Sequence, residues 1–252
     1  MADGKADNGP RIPGKEAMQP ELRKRFYKTV AAEPSGDAFV VTLDGRTVRT
    51  PGKVVLALPN VELASELAQE WESQADVIDP ATMTMTKIAN TAIDGVRDKE
   101  GEVRAELVKF AGNDLLCYRA DHPQELVQRQ MRTWDPILQW VATTYGAELS
   151  QTAGIMPITQ SDEALKAIDK ALVSENALSL AALHVLVTLS GSAVLGLAVR
   201  HAHVSAEEAW AAAHLDEDWQ IAQWGDDDEA TERRNKRWAE FSAAARFLAL
   251  AV

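Results

Sequence analysis

The chain between about residues 25 and 58 alternates short apolar runs with turn signals. Runs typical of β-strands occupy positions 39–43, 46–49 and 54–58. The dipeptide Asp44-Gly45 separates the first two runs. A tight hairpin turn needs positive φ at both central positions, and this dipeptide tolerates that conformation. The pattern therefore predicts a small antiparallel sheet.

After the last of these runs, the apolar spacing becomes helical. Leu63, Leu67 and Trp71 recur every four residues, and Asn60 is placed to cap the helix that they share. The other elements predicted in this part are helices at 89–96 and 102–111 and a strand, returning to the sheet, at 115–119. Residues 21–120 are therefore predicted to form an N-terminal α+β domain.

Almost everything after His122-Pro123 has helical periodicity. The predicted helices cover residues 123–145, 162–174, 177–189, 192–202, 205–224 and 229–251. Residues 177–199 contain no Asp, Glu, Lys or Arg, but a break at 189–192 favours two buried helices over a membrane span. Residues 121–252 are predicted to form a helical domain and residues 1–20 a flexible tail. The predicted fold class is α+β, with a small N-terminal antiparallel sheet and helices followed by a helical C-terminal bundle.

Composition narrows the possible functions. The chain has 252 residues, a formal net charge of −12 and one cysteine, Cys117. Phosphate backbones and anionic headgroups are bound mainly through Lys and Arg, so this charge argues against nucleic acid and membrane surfaces as partners. A single cysteine cannot form an internal disulfide. The first 20 residues lack a signal-peptide pattern, so the predicted location is the bacterial cytoplasm.

The common catalytic signatures are missing from the sequence. It contains no phosphate-binding glycine loop, no dinucleotide fingerprint, no zinc-protease motif and no serine-hydrolase elbow. His201 and His203 lie two positions apart, so on a helix their rings point in different directions. We therefore predict no catalytic residue, no metal, no cofactor and no small-molecule substrate. The alternative is an unrecognised hydrolase or metal enzyme that uses Glu217, Asp218 and His214.

The segment from residue 204 to residue 232 is unusual in charge and in apolar pattern. It carries ten Asp and Glu residues and no Lys or Arg. A continuous helix over 205–224 would have two opposite apolar stripes. One contains Leu215, Trp219 and Ala222, and the other contains Trp210, His214, Glu217, Ile221 and Trp224. A second apolar stripe indicates either burial on both sides or a face for a partner.

Glu217 separates these two alternatives. A carboxylate among two Trp and an Ile is costly if it is buried without a partner. It therefore needs an internal cation, such as Arg233 or Arg237, or a position near solvent. The second possibility predicts a partner-binding face composed of Asp216, Glu217, Asp218, Trp210, Trp219 and Trp224.

Several short motifs follow one another in a characteristic order. They are Arg25-Phe26-Tyr27-Lys28, residues 43–51, Glu70-Trp71, residues 90–94, residues 114–120, Trp134-Asp135-Pro136, residues 216–220 and Trp224-Gly225. Together they resemble the assembly chaperones that bind the alpha subunit of the ATP synthase catalytic head, of the alphaproteobacterial and mitochondrial type. The resemblance covers about residues 22–250. It departs at residues 83–87, where Met-Thr-Met-Thr-Lys replaces the expected Met-Pro-Leu-Thr-Arg.

The resemblance implies a protein that holds the free alpha subunit until the beta subunit replaces it, in the mitochondrial matrix for eukaryotic relatives. It implies an N-terminal α+β domain, a helical C-terminal domain and no nucleotide hydrolysis. An unassembled ring subunit exposes a large apolar interface, and covering it prevents wrong association. A subunit that stays in the finished complex is the other non-catalytic alternative.

Trp71 is predicted to be critical for the fold. It closes a helix that should pack against the sheet, so its ring is predicted to be mostly buried. A charged residue at such a position would be unpaired in the core, which is one of the most destabilising changes known.

Overall fold

The N-terminal sheet is antiparallel, as predicted. The computed structural model describes residues 22–154 and 156–251. Strands β1 (Val30–Ser35) and β2 (Ala38–Leu43) form a hairpin. The short strands β3 (Arg46–Thr47) and β4 (Ala57–Leu58) also pair with β2 in antiparallel fashion. Both residues of the dipeptide Asp44-Gly45 have positive φ, 48° and 74°, so it forms the turn that the sequence predicts.

Helix α1 (Val61–Glu72) packs against β1 and β2 and begins where the sequence predicts. The Asn60 Oδ1 atom caps it by accepting a hydrogen bond of 2.9 Å from the Leu63 N–H. Leu63 is buried beneath the helix, as is Leu67 one turn later. The next helices are α2 (Thr84–Thr91), which continues into a π-helical turn over Ala92–Val96, and α3 (Glu100–Gly112).

The last strand predicted for the N-terminal part is wrong. Leu115–Cys117 form a 3₁₀ turn, and only β5 (Tyr118–Arg119) is extended. β5 does not return to the first sheet but pairs in parallel with β6 (Thr152–Ala153). The Asp114 Oδ1 atom accepts a hydrogen bond of 3.1 Å from the Leu116 N–H, which caps the turn and bends the chain.

The rest of the described chain is largely helical, as predicted. Its helices are α4 (Gln124–Tyr145), α5 (Asp162–Leu172), α6 (Ala177–Ser190), α7 (Ala193–Arg200), α8 (Ala206–Ala213), α9 (Leu215–Trp224) and α10 (Asp228–Leu250). Helix α6 is central and contacts α3, α7, α8 and α10. It ends at Gly191, whose φ of 71° forms a left-handed cap, so the predicted break in the apolar stretch is present. Across the described ranges, no helix is both long and apolar enough to cross a bilayer.

The single helix predicted over residues 205–224 is in fact two helices, so that prediction is corrected. The backbone leaves regular helical geometry at His214 (φ −108°, ψ 18°), between α8 and α9. The acidic residues 216–218 lie in the first turn of the new helix. Acidic side chains favour that position because of the helix dipole, which is a signal that the sequence contained. The two apolar stripes therefore do not continue along one helix.

One buried apolar cluster runs through both parts of the chain and includes residues from Tyr27 to Ala251. Helix α3 contacts α5, α6 and α7, and α1 contacts α10. Asp114 adds a polar link, since its Oδ2 atom accepts a hydrogen bond of 3.0 Å from the Val194 N–H in α7. The domain boundary near residue 120 stays a prediction. The predicted tail at residues 1–20 lies outside the described residues.

Candidate functional site

Helix α9 lies on the surface with little apolar burial. Of its 10 residues, only Leu215 is buried. Its first turn carries three consecutive acidic residues, and its last residue, Trp224, is 88% exposed. A short helix with so few buried side chains gains little stability from packing, so other contacts must hold it. The exposed side of this helix, which includes Glu217 and Trp224, is termed the α9 surface.

Glu217 is half-exposed and is attracted electrostatically by Arg234, with which it forms no ion pair. Its side chain is 49% exposed, and its Oε2 atom lies 4.0 Å from Nε2 of His214. Burial lowers the pKa of His214, so this imidazole is neutral at pH 7. Arg233 pairs with a glutamate within α10, and Arg237 donates to a backbone carbonyl of α6. Within the described part of the chain, no Lys or Arg forms an ion pair with Glu217.

Two polar contacts hold the first turn of α9. Asp218 Oδ1 lies 2.5 Å from Nη1 of Arg234 in α10, which compensates its charge. Asp216 Oδ1 accepts a hydrogen bond of 2.7 Å from Nε2 of Gln130 in α4. Gln130 is 1% exposed, and its Oε1 accepts a hydrogen bond of 2.9 Å from the Ala120 N–H. The sequence pattern does not indicate Gln130, because a single polar residue within a helix gives no signal of its burial.

The three tryptophans predicted for the partner-binding face lie at different depths. Trp210 is buried, with its ring centroid 3.8 Å from that of His214 and 5.3 Å from that of Phe241. Trp219 is half-buried, and Trp224 is exposed. Trp210 thus supports the start of α9 from inside, whereas Trp224 is free to contact another molecule. Their roles in partner binding stay predictions.

The side chains of the catalytic alternative do not converge on one shared site. Asp218 is paired with Arg234, and His214 Nδ1 lies 2.9 Å from a backbone carbonyl oxygen. Only the 4.0 Å contact between His214 and Glu217 remains. Among the residues that the structure describes, no three His, Cys, Asp or Glu side chains form a group that could hold a metal ion. Burial raises the pKa of the Cys117 thiol to about 12, which keeps it protonated at neutral pH.

Trp71 lies at the end of α1 beside Tyr27. Their ring centroids are 5.8 Å apart in an edge-to-face arrangement, and the Tyr27 hydroxyl donates a hydrogen bond of 2.7 Å to the Trp71 carbonyl. The Trp71 side chain is partly buried, and its Nε1 atom is shielded from solvent without an acceptor among the described residues. Its importance for the fold stays a prediction.

The hydrogen bond between Gln130 and Asp216 leads to a testable prediction. We expect Gln130→Glu to set two carboxylates against each other and to lower the free energy of unfolding by about 1–3 kcal/mol. Adding Asp216→Asn should recover most of that loss, because the new amide can donate to the new carboxylate. Urea unfolding of the wild type, both single variants and the double variant measures this coupling. Purely additive losses would contradict a direct contact between the two side chains.

Comparison with known proteins gives a consistent result. A family model described as ATP12 chaperone protein matches residues 24–142. The mitochondrial protein atp12 of Schizosaccharomyces pombe is 27% identical over 230 residues, which cover 86% of this chain and 79% of that protein. The match to the family model includes Trp71 and ends before α8.

Two solved structures extend the similarity over most of the chain. The crystal structure of Atp12 from Paracoccus denitrificans is 39% identical, with a TM-score of 0.84, and the match covers 91% of this chain and 99% of that one. A protein from Agrobacterium tumefaciens, described as a chaperone, is 42% identical, with a TM-score of 0.88, and the match covers 91% and 86% of the two chains. The chain therefore belongs to the ATP12 chaperone family, the ATP synthase assembly chaperones that its sequence motifs resemble.

Proposed function

We propose that this chain binds the unassembled alpha subunit of the ATP synthase catalytic head through the α9 surface. It covers the subunit interface of the alpha subunit until the beta subunit takes its place. The observation that carries this proposal is the state of Glu217, a half-exposed carboxylate that forms no ion pair with a Lys or Arg among the described residues. In this proposal the chain acts by binding alone and catalyses no reaction.

The α9 surface combines the two features that a protein partner would use. An exposed Trp such as Trp224 supplies a large apolar contact at little entropic cost, and tryptophans often dominate binding energy. Glu217 supplies a charge that forms no ion pair with a Lys or Arg among the described residues, although Arg234 attracts it electrostatically. An Arg or Lys of the alpha subunit would pair with Glu217 only in the complex. Such a pair would attract the alpha subunit and fix its position on the α9 surface.

Asp216 and Asp218 have a different role in this proposal. Both are already engaged, with Gln130 and with Arg234, so they offer less to a partner than Glu217 does. They hold the first turn of α9 and thereby fix the direction in which Glu217 points. Trp210 acts in the same way from the interior. The predicted binding residues thus divide into contact residues and residues that position them.

Temporary covering of an interface explains why such a protein needs a large surface and no catalytic group. A ring subunit in isolation exposes apolar area that would otherwise be buried against its neighbours. A chaperone bound there competes with wrong partners and leaves when the correct neighbour binds more tightly. The cytoplasmic location predicted from the sequence remains part of this proposal.

The experiment is capture of purified alpha subunit by variants of Glu217. We expect Glu217→Lys to weaken binding by about 2–5 kcal/mol if the pair is desolvated in the complex, because it sets like charges together. Glu217→Gln should weaken it less, since it removes the attraction without adding repulsion. Thermal unfolding of Glu217→Gln should stay close to that of the wild type, because Glu217 forms no ion pair with a Lys or Arg among the described residues. Glu217→Lys should be slightly less stable, because it loses a favourable interaction with the helix dipole and repels Arg234.

Glu163→Lys is the matched control. Glu163 is also an exposed acid in the first turn of a helix, α5, so this variant changes net charge and helix dipole in the same way. It should capture the alpha subunit like the wild type. A well-folded Glu217→Lys protein with undiminished capture would refute the role of Glu217 and shift attention to Trp219 and Trp224.

A further inference from the structure

A second surface feature lies in the N-terminal part, away from α9. It is a groove of about 790 Å³ between the segment before β1, the turn from β2 to β3 and the end of α1. Its apolar lining includes Phe26, Tyr27, Val48, Trp71 and Ile78. Phe26 is 56% exposed, although a large aromatic side chain in water is unfavourable. This feature is termed the N-terminal groove.

The charges along the N-terminal groove are opposite in sign to those of the protein as a whole. Arg23, Arg46 and Arg49 line it, in a chain whose net charge is −12. Arg23 lies 4.5 Å from the centroid of the Phe26 ring, and Arg49 Nη1 donates to the Lys53 carbonyl. None of these three guanidinium groups forms an ion pair with an acidic residue in the described ranges.

Asp44 also lines the groove but does not neutralise these arginines. Its Oδ1 atom accepts hydrogen bonds from the N–H of Lys28 (3.0 Å) and from the N–H (2.9 Å) and hydroxyl (3.0 Å) of Thr29. These hydrogen bonds, of which the one from the Thr29 N–H has the largest effect, lower the pKa of Asp44. The Asp44 side chain therefore connects the turn between β2 and β3 to the segment just before β1. Three cations beside an apolar floor therefore remain available to a ligand.

We propose that the N-terminal groove is a second docking site for the client subunit and takes an acidic segment of it with an aromatic or branched apolar residue. The inference rests on the proposed function. The apolar residue fills the floor beside Phe26 and Trp71, and carboxylates pair with Arg46 and Arg49. Guanidinium groups suit this task because they bind carboxylates in a bidentate, planar geometry.

The positive charge of the N-terminal groove indicates that an acidic segment of the client binds there. The α9 surface presents a carboxylate and selects a cationic patch, whereas the N-terminal groove presents guanidinium groups and selects an anionic one. Two sites of opposite sign allow the client to dock in one orientation only, because the reversed orientation would bring like charges together. A nucleic acid is a poorer fit, because the acidic remainder of the chain would repel its phosphates.

The first test measures capture of purified alpha subunit by Arg46→Glu, Phe26→Ser and the control Arg97→Glu. Arg46 is exposed, and its side chain forms no hydrogen bond or ion pair with a described residue, so this substitution should leave folding intact. Arg97 is exposed in the same part of the chain and does not line the groove. We expect Arg46→Glu and Phe26→Ser each to weaken capture by about tenfold and Arg97→Glu to leave it unchanged. Wild-type affinity of a folded Arg46→Glu protein overturns the proposal.

The second test separates this proposal from the proposed function. A labelled peptide, Glu-Asp-Phe-Glu-Asp, is titrated into the wild type, Arg46→Glu and Glu217→Lys, with Lys-Lys-Phe-Lys-Lys and a labelled oligonucleotide as comparisons. Binding of the acidic peptide that is lost in Arg46→Glu but kept in Glu217→Lys supports the groove, even if the alpha subunit is not the client. Failure to bind the acidic peptide, or preference for the oligonucleotide, overturns the groove assignment while leaving the α9 surface to its own test.

Discussion

Replacing Trp71 with arginine is expected to prevent stable folding. The indole packs edge-to-face on Tyr27 at 5.8 Å, at the point where α1 meets the strand entry. An arginine there loses that contact and brings a second guanidinium near Arg25, which lies 4.7 Å over the Tyr27 ring. The combined cost is several kcal/mol, which is a large fraction of the stability of a typical domain, about 5–15 kcal/mol.

Trp71→Phe is the matched control for this experiment. It keeps an aromatic ring and removes the Nε1 donor, which has no acceptor among the described residues. We therefore expect it to change the free energy of unfolding by less than about 1.5 kcal/mol. Soluble yield and urea unfolding followed by circular dichroism measure both variants. A soluble Trp71→Arg protein with the wild-type unfolding midpoint would show that this side chain is dispensable for the fold.

Asp114→Ala is expected to be the second severe substitution. Asp114 is fully buried, and its two carboxylate oxygens accept hydrogen bonds from the N–H groups of Leu116 and Val194. An alanine would leave both donors buried without an acceptor, at about 1–3 kcal/mol each. Because one donor caps the 3₁₀ turn and the other lies at the start of α7, both elements should loosen together. Hydrogen exchange at these two amides, combined with urea unfolding, measures the effect, and protection equal to the wild type would contradict it.

The same carboxyl predicts a pH dependence of stability. Burial raises the pKa of Asp114 from 3.8 to about 6, although hydrogen bonds from Val194 and Ser192 act in the opposite direction. Between these two values the folded protein retains a proton that the unfolded chain has released, so stability falls as the pH rises through this window. The gap corresponds to about 3 kcal/mol.

Asp114→Asn isolates this effect, because an amide does not ionise. The stability of the wild type relative to Asp114→Asn should therefore decrease by up to about 3 kcal/mol between about pH 4 and about pH 7. Urea unfolding of both proteins at the two pH values measures the difference. Parallel pH profiles would show that Asp114 titrates alike in the folded and unfolded states.

Local sequence accounts for the features that depend on a few neighbouring residues. Asp44-Gly45 forms the predicted turn because its backbone accepts positive φ, and Asn60 starts α1 because its side chain reaches an N–H three residues on. Gly191 ends α6 for a similarly local reason. The order of the short motifs also indicates the family, and the charge and apolar pattern distinguishes the acidic segment that contains Glu217 and Trp224.

Which of these residues are exposed and which are engaged in contacts depends on long-range packing. Trp210, before the break at His214, is buried and Trp224 is exposed, although helical periodicity places both on one stripe. Tyr118 and Arg119 pair with a strand beyond α4, and no local pattern indicates that partner. Among the described residues, Glu217 forms no ion pair with Lys or Arg and Arg46 forms none with Asp or Glu, because the oppositely charged groups of most other elements are placed elsewhere. Burial and charge pairing depend on residues that are distant in sequence, which is why periodicity and composition could not assign them.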